Sequence, residues 1–277
     1  MEGIKQMKVQ RKKKPPSERA LFLRSVRREK GLVISLRIAV LVLFFALWEL
    51  FAQTGVVDAF LMSSPSRIAK TTASLFATGN LLYHVGITLL ETLLGFLIAT
   101  VLGTAIALLL WLSERARKVA EPYVVVLNSL PKIALGPIII IWFGAGMKSI
   151  VFMAVIVSVI VTIITMLSGF LATDKNKILL MQSLGASKWQ MLKKLVLPSS
   201  LPTFISMLKI NVGMAWIGSI MGEYLVSRAG LGYLIVYGGQ VFKLDLVMAA
   251  TVILCVLAGG MYALVALLEK CVIRYND

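Results

Sequence analysis

The chain alternates between long apolar stretches and short polar ones, and the lengths of the apolar stretches carry the first message. They fall at residues 33–51, 82–112, 124–143, 150–170, 204–224 and 246–268. A helix needs about 20 residues to cross about 30 Å of hydrocarbon, and each run supplies them. The pattern predicts an all-α, polytopic membrane protein with six transmembrane helices and both ends on one side. The second run exceeds one straight crossing, so it tilts or protrudes. Between the first two runs, residues 65–78 read as an amphipathic helix with Ile68, Thr72 and Leu75 on one side, forming a rim or packing on the bundle.

Within the runs, residue size and polarity vary at helical spacing. Gly95, Ala99, Gly103 and Ala107 recur every four residues, and Gly218 and Gly222 repeat the spacing in the fifth run. Small side chains in one ridge let helices approach closely, either inside one chain or across a dimer seam. The third run is interrupted by Pro131, Gly136 and Pro137, accompanied by Asn128, Ser129 and Lys132. Proline there kinks or opens the helix, and freed backbone must be covered by protein or line a wet path.

Polar groups inside apolar runs face a bundle interior or a cavity. His84, Thr88 and Glu91 share a helical face by their spacing, and Glu223 closes the fifth run. Glu91 suits a pore, a buried pair or a structural hydrogen bond; with Asn128, Ser129, Pro131, Met214 and Glu223 it forms the candidate translocation path. Lys209, near the start of the fifth run, is expected to snorkel to the interface.

Composition agrees: 58% of the 277 residues are hydrophobic and only 15% charged, with a mean hydropathy of +0.88. The net charge of +16 comes largely from Arg11, Lys12, Lys13, Lys14, Arg19, Arg24, Arg27, Arg28 and Lys30, ahead of the first run. Few aromatics interleave them, so a nucleic-acid partner is not expected, and a topology signal aided by membrane lipid fits better. The leader is too long, and the first run too spanning, for a secretory signal peptide. Arg115, Arg117, Lys118, Lys175, Lys177, Lys188, Lys193, Lys194, Lys270 and Arg274 add to the leader's side, against Arg67, Lys70, Lys148, Arg228 and Lys243 on the other. Both termini are therefore expected in the cytoplasm.

The polar stretch after the fourth run, residues 183–198, then faces the cytoplasm. Ser187 and Gln190 have capping-box spacing and start a short helix, with Met191, Leu192 and Leu195 on one face and Lys188 and Lys194 at the other. Gly185 permits a bend before it, and Pro198 is expected to end it. A helix–bend–helix with an apolar ridge reads as a docking piece for a soluble partner. Catalytic signatures do not appear. Gly144–Ser149 lacks the phosphate-loop ending, no metal set or cofactor motif occurs, and Cys255 and Cys271 lack disulfide or metal spacing. The chain does not read as an enzyme.

Gly185-Ala186 followed by Leu195, Leu197 and Pro198 resembles the second half of the signature loop of permease subunits of binding-protein-dependent ABC importers. Leu179-Leu180-Met181 stands where that family usually has Glu-Ala-Ala. LPKIALGPIIIIWFG (130–144), SLGASKWQ (183–190) and GLGYLI (230–235) are similar to the nitrate/sulfonate/taurine-type branch, with related pyrimidine-precursor and riboflavin permeases. The likeness covers roughly residues 48–269. It implies a type I importer permease: a second copy of itself, two cytoplasmic ATP-binding subunits, an extracytoplasmic solute-binding protein and location in the inner membrane. By this resemblance Ser183, Leu184, Gly185, Ala186, Ser187, Trp189, Leu192, Leu195, Leu197 and Pro198 form the coupling helix region, within a coupling loop at 171–199. The permease domain is 33–270, flanked by a basic tail at 1–32 and a short one at 271–277. The competing class is an ion-gradient-driven carrier using Glu91 and His84, for which inverted repeats are expected and none is apparent.

Overall fold

The computed structural model describes residues 18–56 and 58–273. Arg11–Lys14 in the leader and Arg274 lie outside the described residues. The chain divides into two units, one ending at Val57 and the other running from Asp58.

Among the described residues, the first unit has one helix, α1 (Glu18–Gln53). It begins well before the apolar run, so residues 18–32 of the expected tail are helical. The apolar side chains of the run, including Leu36, Val40, Phe44 and Leu47, are exposed around its circumference, as suits a helix solvated by lipid tails.

The second unit is also helical: α2 (Ala59–Met62), α3 (Pro65–Ala77), α4 (Asn80–Leu112), α5 (Glu114–Ser129), α6 (Gly136–Phe143), α7 (Met147–Leu171), α8 (Lys175–Ser183), α9 (Lys188–Met191), α10 (Leu197–Ser199), α11 (Leu201–Val226), α12 (Leu231–Gln240) and α13 (Leu244–Ile273). Among the described residues, five unbroken helices are long and apolar enough to cross a membrane: α1 from Arg28, α4, α7, α11 and α13. The sixth expected span is broken. α5 and the segment from Lys132 to Phe143 meet at 88°, and the second of them opens with a tight 3-10 turn at Lys132–Leu135. Pro131 lacks the N–H that a continuing helix would use, and the Lys132 ammonium donates to the freed Asn128 carbonyl at 3.2 Å.

α7 is the core, packed against both α4 and α11, which also meet each other. The small ridges explain how. Gly95 of α4 sits directly on Ala154, and a Cβ at Gly218 of α11 would come 2.5 Å from the Ala154 backbone. One at Gly222 would come 2.8 Å from Ile150 Cα. The ridges thus serve packing within this chain. Lipid offers no hydrophobic drive between helices, so close contact and hydrogen bonds must hold them. The Asn211 amide of α11 donates to Thr162 Oγ1 of α7 at 2.7 Å and Thr100 Oγ1 of α4 at 3.1 Å. Thr92 and Ser219 pair at 2.7 Å. Lys209 is not a free snorkelling cation: Glu269 of α13 lies within reach and forms an ion pair with it, which neutralises both charges locally. α3 packs on α13, with Ile68 buried and Arg67 bound to Asp245 at 2.7 Å.

Candidate functional site

One end of the bundle carries a projecting foot, and its shape is written locally. Asp174 caps α8 by accepting the Asn176 N–H at 2.9 Å. At the other end of α8, Gly185 adopts φ +77°. Its N–H bonds to the Gln182 carbonyl and the Ala186 N–H to that of Met181, both at 2.9 Å. This is the left-handed helix stop that favours glycine. The capping box then forms as the spacing predicts. The Gln190 N–H donates to Ser187 Oγ at 3.3 Å, and the Ser187 N–H donates to Gln190 Oε1 at 2.8 Å.

Two expectations are corrected here. Pro198 does not end the helix, because the turn before it is widened. Residues Leu192–Val196 form a π-type turn in which the Leu197 N–H reaches back to the Leu192 carbonyl. That shift of register removes the need for an N–H at Pro198, and helical backbone continues to Ser199. Leu192, expected on the docking ridge, is 1% exposed. With Val196 it packs among Ala107, Met166, Phe170 and Met207, and so roots the foot in α4, α7 and α11. The projecting apolar residues are Leu179, Leu180, Leu184 and Trp189, the last two 78% and 61% exposed. Leu179 and Leu180 join the site only in the structure. Their spacing four or five residues ahead of Leu184, in a segment rich in polar residues, was the available signal. Lys188 ties the foot to the bundle by donating to the last carbonyl of α4, Leu112, at 3.2 Å.

The opposite end holds a polar clasp around the start of α12. A helix leaves its first amides without internal partners, and here the neighbouring helices supply them. The Gly230 N–H donates to His84 Nδ1 at 2.9 Å and the Leu231 N–H to Thr88 Oγ1 at 2.8 Å. The Gly232 and Tyr233 N–H groups donate to Glu223 Oε2 at 2.6 and 3.3 Å. The carboxylate also sits where the helix dipole is positive. Gly230 has φ +114°, and a Cβ there would strike the Glu223 carboxyl, so this acid explains the glycines of the GLG sequence.

The candidate path residues divide accordingly. Glu91 and Glu223 are 2% and 1% exposed, and their carboxyls lie beside each other. Asn128, Ser129 and Pro131 are exposed on the broken segment, and Met214 is half-buried on α11. The structure does not gather them around the carboxyl pair within one chain.

Residues 95–274 match the family model described as binding-protein-dependent transport system inner membrane component. An ABC transporter permease protein of Haemophilus influenzae is 33% identical over 75% of this chain and 84% of its own length. An aliphatic sulfonates transport permease protein of Bacillus subtilis is 27% identical, covering 84% of each. A formylaminopyrimidine transport permease protein of Halalkalibacterium halodurans is 32% identical over 69% of this chain and 76% of its own. Among solved structures, the inward-facing methionine ABC transporter matches with TM-score 0.62 at 18% identity, covering 72% of this chain and 97% of that one. A bacterial alginate ABC importer gives 0.64 at 15% identity, covering 92% and 99%; at such identities the likeness is one of fold. The chain belongs to the inner membrane components of binding-protein-dependent transport systems: it is a multi-pass permease subunit of an ABC importer, and not itself an enzyme.

Proposed function

We propose that two copies of this chain assemble with two ATP-binding subunits and receive a small solute from an extracytoplasmic binding protein. The foot is on the cytoplasmic side with both termini, as the basic residues in 115–118, 175–177 and 188–194 argue. Leu184 and Trp189 insert into the ATP-binding subunit, aided by Leu180, while Gly185 and Ser187 set the bend and the cap. The carrying observation is the foot's division of labour: Leu184 and Trp189 project while Leu192 and Val196 are locked in the core. A foot of this kind passes force from a partner into α4, α7 and α11. The solute is of the nitrate, sulfonate or taurine kind, and its path runs past Glu91, Asn128, Ser129, Pro131, Met214 and Glu223. A pyrimidine precursor or riboflavin in the same machinery is the alternative; one relative is named for formylaminopyrimidine.

The test is Gly185→Val in the assembled transporter. A β-branched residue is strongly disfavoured at φ +77°, so the bend distorts and ATP hydrolysis runs without uptake. Uptake at the unsubstituted rate would overturn the coupling assignment. Labelling of a cysteine at Lys188 by an impermeant reagent from outside intact cells would overturn the orientation.

A further inference from the structure

At the end of the bundle away from the foot lies a cavity of about 450 Å³, walled in part by Ile87, Glu91, Gly146, Met147, Ile150 and Arg228. Small-molecule sites commonly span roughly 300–1,000 Å³. Two charged side chains of opposite sign contribute to its wall. Glu91 is buried, and its Oε2 has no hydrogen-bond partner. The neighbouring Glu223 likewise has Oε1 unpartnered. The ion pairs among the described residues, Arg67–Asp245, Lys118–Glu114 and Lys209–Glu269, leave both acids without a cation. An orphaned acceptor in a bundle interior is costly, so this wall favours a donor. Arg228 is exposed and takes part in none of those ion pairs. The first turn of α7, at Gly146 and Met147, places the positive end of a 25-residue helix against the same space.

We propose that this cavity is a transit site for a small zwitterion: Glu91 receives a protonated nitrogen, and Arg228 with the first turn of α7 receives the acidic group. The inference rests on the importer reading above and narrows its solute. A plain sulfonate satisfies Arg228 and sets a second negative charge near Glu91. A plain amine satisfies Glu91 and meets repulsion from Arg228. A solute carrying both groups matches both walls. The rival account is that Glu91 and Glu223 simply share a proton and recognise nothing.

Calorimetry on the permease with its ATP-binding subunits in nanodiscs separates the two, using 2-aminoethanesulfonate, ethanesulfonate and ethylamine as probes. The zwitterion is expected to bind at least about tenfold more tightly than either single-charge probe. Glu91→Gln keeps the size of the side chain and gives it an amide that can donate to the unpartnered Glu223 Oε1, so the packing is kept while the charge is lost. Its affinity for 2-aminoethanesulfonate is expected to fall about tenfold, with ethanesulfonate unaffected. Arg228→Gln, at an exposed position that does not endanger folding, is expected to weaken both acid-bearing probes. Equal binding of the zwitterion and ethanesulfonate, unchanged binding in Glu91→Gln, or no zwitterion binding each overturns the site. Stimulation of ATP hydrolysis by the binding protein reports on the importer reading separately. Stimulation without probe binding sinks only the site, whereas its absence sinks the reading beneath it.

Discussion

The two polar ends of the bundle solve one problem, helix termini with unpaired backbone groups, by opposite means. The foot caps itself: Asp174, Gly185, Ser187 and Gln190 act on residues no more than five positions away. The start of α12 borrows its caps, from His84 and Thr88 nearly 150 positions earlier in the chain and from Glu223 on α11. A self-capped piece keeps its shape while its surroundings move. A piece capped by its neighbours fixes those neighbours to one another. The foot therefore keeps its own shape when it is pushed, and the clasp holds α4, α11 and α12 as one body.

The contrast can be broken most severely at the clasp. Glu223→Ala strands the Gly232 and Tyr233 amides in the interior, and thermal melting of the purified subunit is expected to show a loss of roughly 3 kcal/mol. Rescue of most of that loss by Glu223→Gln would confirm hydrogen bonding as the main contribution. Gly218→Val forces a side chain against the Ala154 backbone and is expected to cost about 2 kcal/mol, read as a lower denaturant midpoint. At the foot the stability effects shrink while the functional ones persist. Ser187→Ala removes a cap worth about 1 kcal/mol, confined to α9 and visible as faster amide exchange there. Trp189→Ala is expected to change stability by less than about 0.5 kcal/mol, yet weaken pull-down of the ATP-binding subunit. A Trp189 variant that melts early would erase the distinction between the two ends.

The same contrast explains what was legible in the sequence. Helices, spans, the capping box and the bend at Gly185 depend on residues close in the chain, and periodicity and turn chemistry expose them. The small ridges announce close packing but not with whom; only the fold brings Gly95 and Gly218 onto the same residue, Ala154. Leu192 looked like part of a ridge because helical periodicity identifies a face without saying what covers it. Pro198 looked like a stop because a widened turn leaves no signature in residue type. His84 and Thr88 were placed together on one face, but their partners, the amides of Gly230 and Leu231, are backbone groups that every residue except proline carries. No composition argument could have singled those out.

α4 has one consequence that neither end shows alone. It runs as 33 residues without a proline, roughly 50 Å at the usual rise, and is held at its final carbonyl by Lys188 and near its beginning by the amides of α12. A strut with no joint along its length cannot slide at one anchorage and stay put at the other. A displacement of Leu112 by a partner seated on the foot, as proposed above, would be carried along α4 to His84 at the other end of the bundle.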